Sequence, residues 1–206
     1  MLLERDAVLA VIDALPDRYR AVAIACAGAG LRPSEALGLT LDELDFPRRQ
    51  LSVRHQLASP TGAPAQLAAP KTLGSARSIP LPDYVTFALA RHLELVDPGP
   101  HGLLFTTEDG APLIRQRFGE IWRAAVKSAR LPATTRCHDL RHFYASALIH
   151  AGESVKTVQS RLGHKSAVTT LDTYGHLWPD SEDRTRKALD DVFSMPRQTI
   201  GSVGAP

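Results

Sequence analysis

A chain of 206 residues, 44% hydrophobic and 22% charged, is long enough for a self-sufficient core and excludes a disordered or fibrous protein. No apolar run reaches the roughly 20 residues of a membrane span, Met1-Leu2-Leu3-Glu4-Arg5-Asp6 is not a signal peptide, and two cysteines, Cys26 and Cys137, exclude a disulfide framework. The net charge of +2 hides an asymmetry: from Ala111 to Lys165, ten Lys or Arg stand against three Asp or Glu, so that stretch carries +7 and the rest −5.

Apolar residues recur at helical spacing over residues 6–12 and 19–26, with Pro16 between the two runs. Gly28 and Gly30 break the pattern, and Pro33 suits the first position of a short helix over 33–39. The alternation Leu51-Ser52-Val53-Arg54-His55-Gln56-Leu57 predicts a strand, with Arg77-Ser78-Ile79-Pro80-Leu81 as its short partner. Between them, residues 58–74 are rich in Pro, Ala, Gly and Thr and predict a long mobile hairpin loop. Helical spacing returns at 83–96, 113–130, 138–151, 154–162 and 167–174. A last amphipathic helix is expected at about 180–193, with Leu189, Val192 and Phe193 on one side, and 194–206 as a flexible tail. These elements describe one mostly α domain over 1–193 with a small antiparallel β-sheet, an α+β fold. The basic stretch is either a surface that meets a polyanion or a solvated helix face.

Three motif readings fail on chemistry. Gly28-Ala29-Gly30-Leu31-Arg32-Pro33 has Pro where a dinucleotide fingerprint needs its third Gly, and no strand precedes it. No Gly-rich loop ends in Lys-Ser or Lys-Thr, which argues against a nucleotide triphosphatase. His138-Asp139-Leu140-Arg141-His142 has the histidine spacing of a zinc protease, with His164 available downstream. It carries the shorter Asp where that site needs Glu, and an Arg beside the metal would repel it.

Five other strings belong together. They are Gly30-Leu31-Arg32-Pro33-Ser34-Glu35-Ala36-Leu37, Pro70-Lys71-Thr72, His138-Asp139-Leu140-Arg141-His142, Leu162-Gly163-His164 and Thr173-Tyr174-Gly175-His176. In order and spacing the chain resembles the catalytic domain of the tyrosine recombinases, the phage integrase family, over roughly residues 6–193. The resemblance implies that fold, and DNA cleavage and rejoining through a covalent 3′-phosphotyrosyl intermediate, as in recombination and integration of phage or mobile-element DNA. It implies Tyr174 as nucleophile and Arg32, Lys71, His138, Arg141 and His164 as the other catalytic residues, with no cofactor, metal or ATP.

Each residue type suits phosphoryl transfer. Guanidinium groups stay charged and bind non-bridging phosphate oxygens bidentately, which fits Arg32 and Arg141. His138, one helical turn before Arg141, is placed to accept the tyrosine proton or to donate to phosphate, and His164 to supply a further donor. A phenol of pKa about 10 needs such neighbours to become phenolate. Lys71 resembles the family's general acid for the departing 5′-oxygen. Glu35 and Asp139 are expected to orient neighbours or cap helices, and His142 and His176 to be structural or to support a catalytic neighbour.

Family members usually carry an N-terminal helical clamp domain, which is expected to be absent here. Expected partners are double-stranded DNA and other protomers, a tetramer on DNA but weakly associated or monomeric alone, with no membrane contact; the expected location is cytoplasmic. Two alternatives stay open from sequence: a topoisomerase-like activity with the same chemistry, and a DNA-binding module that kept the fold without turnover.

Overall fold

In the computed structural model, which describes residues 3–60, 63–70, 76–178 and 182–194, the chain opens with α1 (Arg5–Asp13) and α2 (Asp17–Ala29). Pro16 divides them at the α2 N-cap, where a missing N–H is cheapest. Helix α2 is the central strut, with nine of its thirteen residues buried, most of them Ala. Small side chains on several faces let α4 (Asp83–Leu95) and α6 (Asp139–His150) both pack on it. A left-handed Gly30 ends α2, and α3 (Pro33–Leu37) starts three residues later with Pro33 in its first turn.

Two small antiparallel sheets follow. One has the order β1 (Leu44–Asp45), β2 (Gln50–Val53), β5 (Arg77–Pro80), with Leu51 opposite both Leu44 and Ile79. The other pairs β3 (Gln56–Ala58) with β4 (Gln66–Ala68). The single strand expected over 51–57 is therefore two. The backbone N–H groups of Arg54 and His55 turn aside to donate to the buried Glu43 carboxylate, at 2.6 and 3.0 Å. The expected hairpin loop also contains β4, so it is not structureless throughout. Lys71 and Thr72 lie outside the described residues.

Helix α5 (Arg115–Ser128) begins two residues later than its apolar pattern suggests, because the Leu113 N–H donates to the Phe105 carbonyl at 3.2 Å in the preceding loop. The remaining helices are α7 (Val155–Leu162), α8 (Ala167–Tyr174) and α9 (Glu182–Phe193). One large core unites α1 to α5 and the three-stranded sheet, and Leu140 of α6 reaches into it. A second, smaller cluster of Tyr144, Ala145, Ile149, Val158, Leu162 and Tyr174 joins α6, α7 and α8. On α9 the apolar side faces solvent, with Leu189 53%, Val192 63% and Phe193 82% exposed. The expected tail lies outside the described residues beyond Ser194. Among the described residues no helix is long and apolar enough to cross a membrane.

Candidate active site

The site begins at the α2–α3 corner. Gly30 has φ 64°, and a Cβ there would stand 2.4 Å from Cδ1 of Tyr144, so conformation and packing both demand glycine. Its carbonyl accepts from Nη1 of Arg141 at 2.6 Å. Two residues on, Arg32 occupies the N-cap of α3 and donates its backbone N–H to Glu35 Oε2 at 2.9 Å and its Nη1 to Oε1 at 2.7 Å.

Glu35 is a buried hub. Arg77 of β5 grips it through two bonds, Nη1 to Oε1 at 3.1 Å and Nη2 to Oε2 at 2.9 Å, and Arg141 stands at 4.0 Å. Burial alone would raise the carboxyl pKa, but the hydrogen bonds and charge of Arg77, then Arg32, outweigh it and hold Glu35 at about 2.

Arg141 projects inward from the first turn of α6 and is 2% exposed. Its Nη2 donates to the carbonyl of Leu162, so two of its five N–H groups are held by the backbone oxygens of Gly30, after α2, and Leu162, at the end of α7. Burial, then the nearby Arg32, pushes its pKa down to about 9, which leaves it charged at neutral pH. Helix α7 ends at Gly163 in the left-handed conformation, and the next N–H, of His164, donates to Gln159 at 3.1 Å. This fixes His164, whose Nδ1 lies 3.0 Å from the Thr170 hydroxyl of α8. Burial, then Arg141, Arg32 and Arg77, lowers its pKa to about 4, so the ring is neutral at pH 7.

His138 is the N-cap of α6 and His142 lies one turn deeper. Their rings meet edge to face, 5.0 Å apart. Partial burial, then His142 and Arg141, holds His138 below its ordinary value, although the residue as a whole is exposed. Tyr174, the last residue of α8, is 3% exposed, and its hydroxyl is 2.7 Å from Nδ1 of His142. Burial raises the phenol pKa against the opposing charges of Arg141 and Arg32, and burial lowers that of His142. Both partners of this hydrogen bond are therefore neutral at pH 7.

In front of these groups lies a groove of about 1160 Å³, lined by Arg32, His138, His142 and His164 among others. Five lining residues are basic (Arg32, Arg115, Arg123, Arg136 and Lys165) against two acids, Glu35 and Asp139. Pro70, the last described residue before Lys71, lines the same groove. The structure thus brings Arg32, His138, Arg141, His164 and Tyr174 together. Arg32, His138 and His164 face the groove, while Arg141 and Tyr174 are buried beside it.

The phage integrase family pattern matches residues 2–180. The chain belongs to the phage integrase family. A tyrosine recombinase XerC-like protein of Caldanaerobacter subterraneus is 28% identical over 196 residues, covering 85% of this chain and 50% of the relative. The transposase from transposon Tn916 of Enterococcus faecalis is 30% identical over 181 residues, covering 82% of this chain and 44% of the relative. The chain spans about half the length of these curated relatives. Among solved structures, the Tn1549 transposon integrase in complex with a circular intermediate DNA superposes with a TM-score of 0.80 at 26% identity, covering 93% of this chain and 67% of that one. The catalytic domain of bacteriophage HP1 integrase shares the fold, with a TM-score of 0.61 at 20% identity over 94% of this chain and 96% of that one. The fold of this integrase-family chain is that of a tyrosine recombinase catalytic domain.

Several contacts of the site are not marked by sequence as such. His142, expected to be structural or to support a catalytic neighbour, is the group on the Tyr174 hydroxyl. Its string was visible, but which of its two histidines meets α8 depends on how α6 enters its first turn. Arg77 had no signal beyond its place in an alternating strand. Thr170 had none, because its partner His164 is set by the left-handed Gly163 between α7 and α8.

Proposed function

We propose that this integrase-family chain carries the catalytic centre that cleaves and rejoins double-stranded DNA, with Tyr174 as nucleophile, as in site-specific recombination and integration of mobile DNA. The observation that carries the reading is the buried Tyr174 hydroxyl, 2.7 Å from His142 and inside the field of Arg141 and Arg32, beside a groove rich in Arg.

The scissile phosphate sits against Arg32, His138 and His164. Arg32 binds its non-bridging oxygens, while Arg141, fixed behind by two carbonyls, adds a charge that needs no reorganisation as the transition state forms. His138 and His164, neutral before DNA arrives, donate to the same oxygens. Tyr174 Oη attacks phosphorus, its proton passes to Nδ1 of His142, and the bond from phosphorus to the 5′-oxygen breaks. Lys71 is the proposed acid that protonates the departing 5′-oxygen, by the resemblance of its string to the family's lysine. The product is a 3′-phosphotyrosyl linkage and a free 5′-hydroxyl. Attack by a 5′-hydroxyl reverses the step. Because one phosphodiester replaces another and phenolate leaves far more easily than alkoxide, no ATP is needed.

The same reading includes partner protomers, a tetramer on DNA, acting in the cytoplasm. The uncovered Leu189, Val192 and Phe193 on α9 support association through that helix. The decisive experiment incubates the chain with a nicked suicide duplex, on which a cleaved strand cannot be rejoined, and resolves protein–DNA adducts on a denaturing gel. Wild type accumulates an adduct and Tyr174→Phe does not, although it folds and binds DNA. An adduct in Tyr174→Phe refutes the nucleophile; none in wild type refutes the cleavage reading.

A further inference from the structure

We infer that Arg77 is a positioning residue for strand cleavage: by holding the charge of Glu35, it leaves Arg32 and Arg141 available to the phosphate. This rests on the cleavage reading above and adds a residue to it. The Arg77 side chain is only 5% exposed, and among the described residues it is not one that lines the groove. Whatever it contributes must pass through its partners.

Those partners are the site's own scaffold. Each oxygen of the Glu35 carboxylate receives one bond from Arg32 and one from Arg77, and Arg141 waits 4.0 Å from Oε2. A buried carboxylate must be neutralised. With Arg77 present, the three guanidinium groups and one carboxylate sum to +2, so two positive charges remain for one phosphodiester. Without Arg77 the sum is +1, and Glu35 competes with the phosphate for both remaining arginines. Arg141 would also be drawn off the Gly30 carbonyl that aims it.

A second set of contacts adds geometry. Nε of Arg77 donates to the Arg161 carbonyl at 2.7 Å, and Arg161 Nη1 returns a bond to the Ser78 carbonyl at 3.1 Å. These bonds lace β5 to the last turn of α7. The next carbonyl, of Leu162, receives Arg141, and two residues further stands His164. One planar guanidinium therefore ties the supports of Arg32, Arg141 and His164 together. Lys at this position would keep the charge but could not hold two carboxylate oxygens and a carbonyl at once.

The test measures the single-turnover rate of adduct formation on the suicide duplex, at saturating DNA and across DNA concentrations. It compares wild type, Arg77→Met, Arg77→Lys, Glu35→Gln and the double variant Arg77→Met/Glu35→Gln, each shown to be folded by circular dichroism at the assay temperature. Arg77→Met should slow the saturated rate by about 10–100-fold, the cost of a small misplacement of reacting groups, with half-saturation unchanged. Arg77→Lys should fall between it and wild type, and remains the informative variant if Arg77→Met does not fold. Removing the orphaned charge should restore rate, so the double variant should cleave faster than Arg77→Met. A purely packing role predicts no such rescue. Arg77→Met or Arg77→Lys cleaving as fast as wild type, or a double variant no faster than Arg77→Met, overturns the inference while leaving the cleavage reading intact. A wild type that forms no adduct overturns both.

Discussion

The ion cluster around Glu35 makes the stability of this domain fall in acid at a predictable pH. Glu35 titrates near 2 in the folded protein against 4.5 for an ordinary Glu. Its folded pKa is depressed, so the stabilisation is complete above 4.5 and is lost as pH falls through 4.5 towards 2. Holding a carboxyl at about 2 instead of 4.5 corresponds to about 3 kcal/mol, because each tenfold change in an equilibrium constant is about 1.4 kcal/mol. Somewhat less than half of that, about 1.4 kcal/mol, is lost by pH 3.5, since most unfolded chains are then protonated at Glu35 and few folded ones are. Against a total of about 5–15 kcal/mol, such a loss is readily measured. The assay is urea unfolding of wild type and Glu35→Gln at several pH values between 7 and 3.5. Glu35→Gln should be the less stable protein at pH 7, because it leaves Arg77 and Arg141 buried without their counter-charge. The gap between the two should narrow by about 1–2 kcal/mol on going to pH 3.5. Parallel pH dependences would refute the argument, and would mean that Glu35 is not the carboxylate these arginines neutralise.

His138 and His164 are held below the ordinary histidine range, and an incoming phosphate favours their protonation, so DNA binding should take up protons. Affinity should rise as pH falls from 7 to 6, and binding heats should vary with the ionisation enthalpy of the buffer; no dependence on either would exclude these two histidines as phosphate contacts. His142→Ala should slow adduct formation by about 10²–10⁴-fold if His142 takes the phenol proton. An unchanged rate would return that role to His138. Lys71→Ala should be similarly slow on ordinary DNA yet nearly normal on a substrate with a 5′-bridging sulfur, whose thiolate leaves without an acid. Failure of sulfur to rescue it would make Lys71 a binding contact. Replacing Leu189, Val192 and Phe193 by Ser should weaken self-association on DNA in sedimentation without changing the melting temperature, because these side chains do not join the domain's own core. A large drop in melting temperature would show that they do.

Much of this architecture was legible because its signals are local. Helix positions follow from apolar spacing and from Pro16, Pro33, Gly30 and Gly163, whose effects extend only a few residues. The break between β2 and β3 was not legible. Alternation continues through Arg54 and His55, and what interrupts the strand is a carboxylate, Glu43, eleven and twelve positions away that captures their N–H groups. Strand β4 was hidden for a related reason, since three residues of Gln66-Leu67-Ala68 carry too little pattern without β3 beside them.

The candidate site divides along the same line. A string such as His138-Asp139-Leu140-Arg141-His142 marks chemistry because a helix presents residues three and four apart together, so proximity can be read from spacing. Arg77 and Glu35 are 42 positions apart, one on β5 where it pairs with β2 and the other on α3, and meet only in the folded chain. Nothing near Arg77 distinguishes it from an exposed strand arginine. Its importance comes from the electrostatic problem the legible residues create: placing Arg32 and Arg141 side by side requires a carboxylate, and that carboxylate, once buried, requires a cation that DNA does not use. A chain read from its motifs shows the groups proposed to touch the phosphate. The groups that keep those available follow only from the charge balance of the folded site.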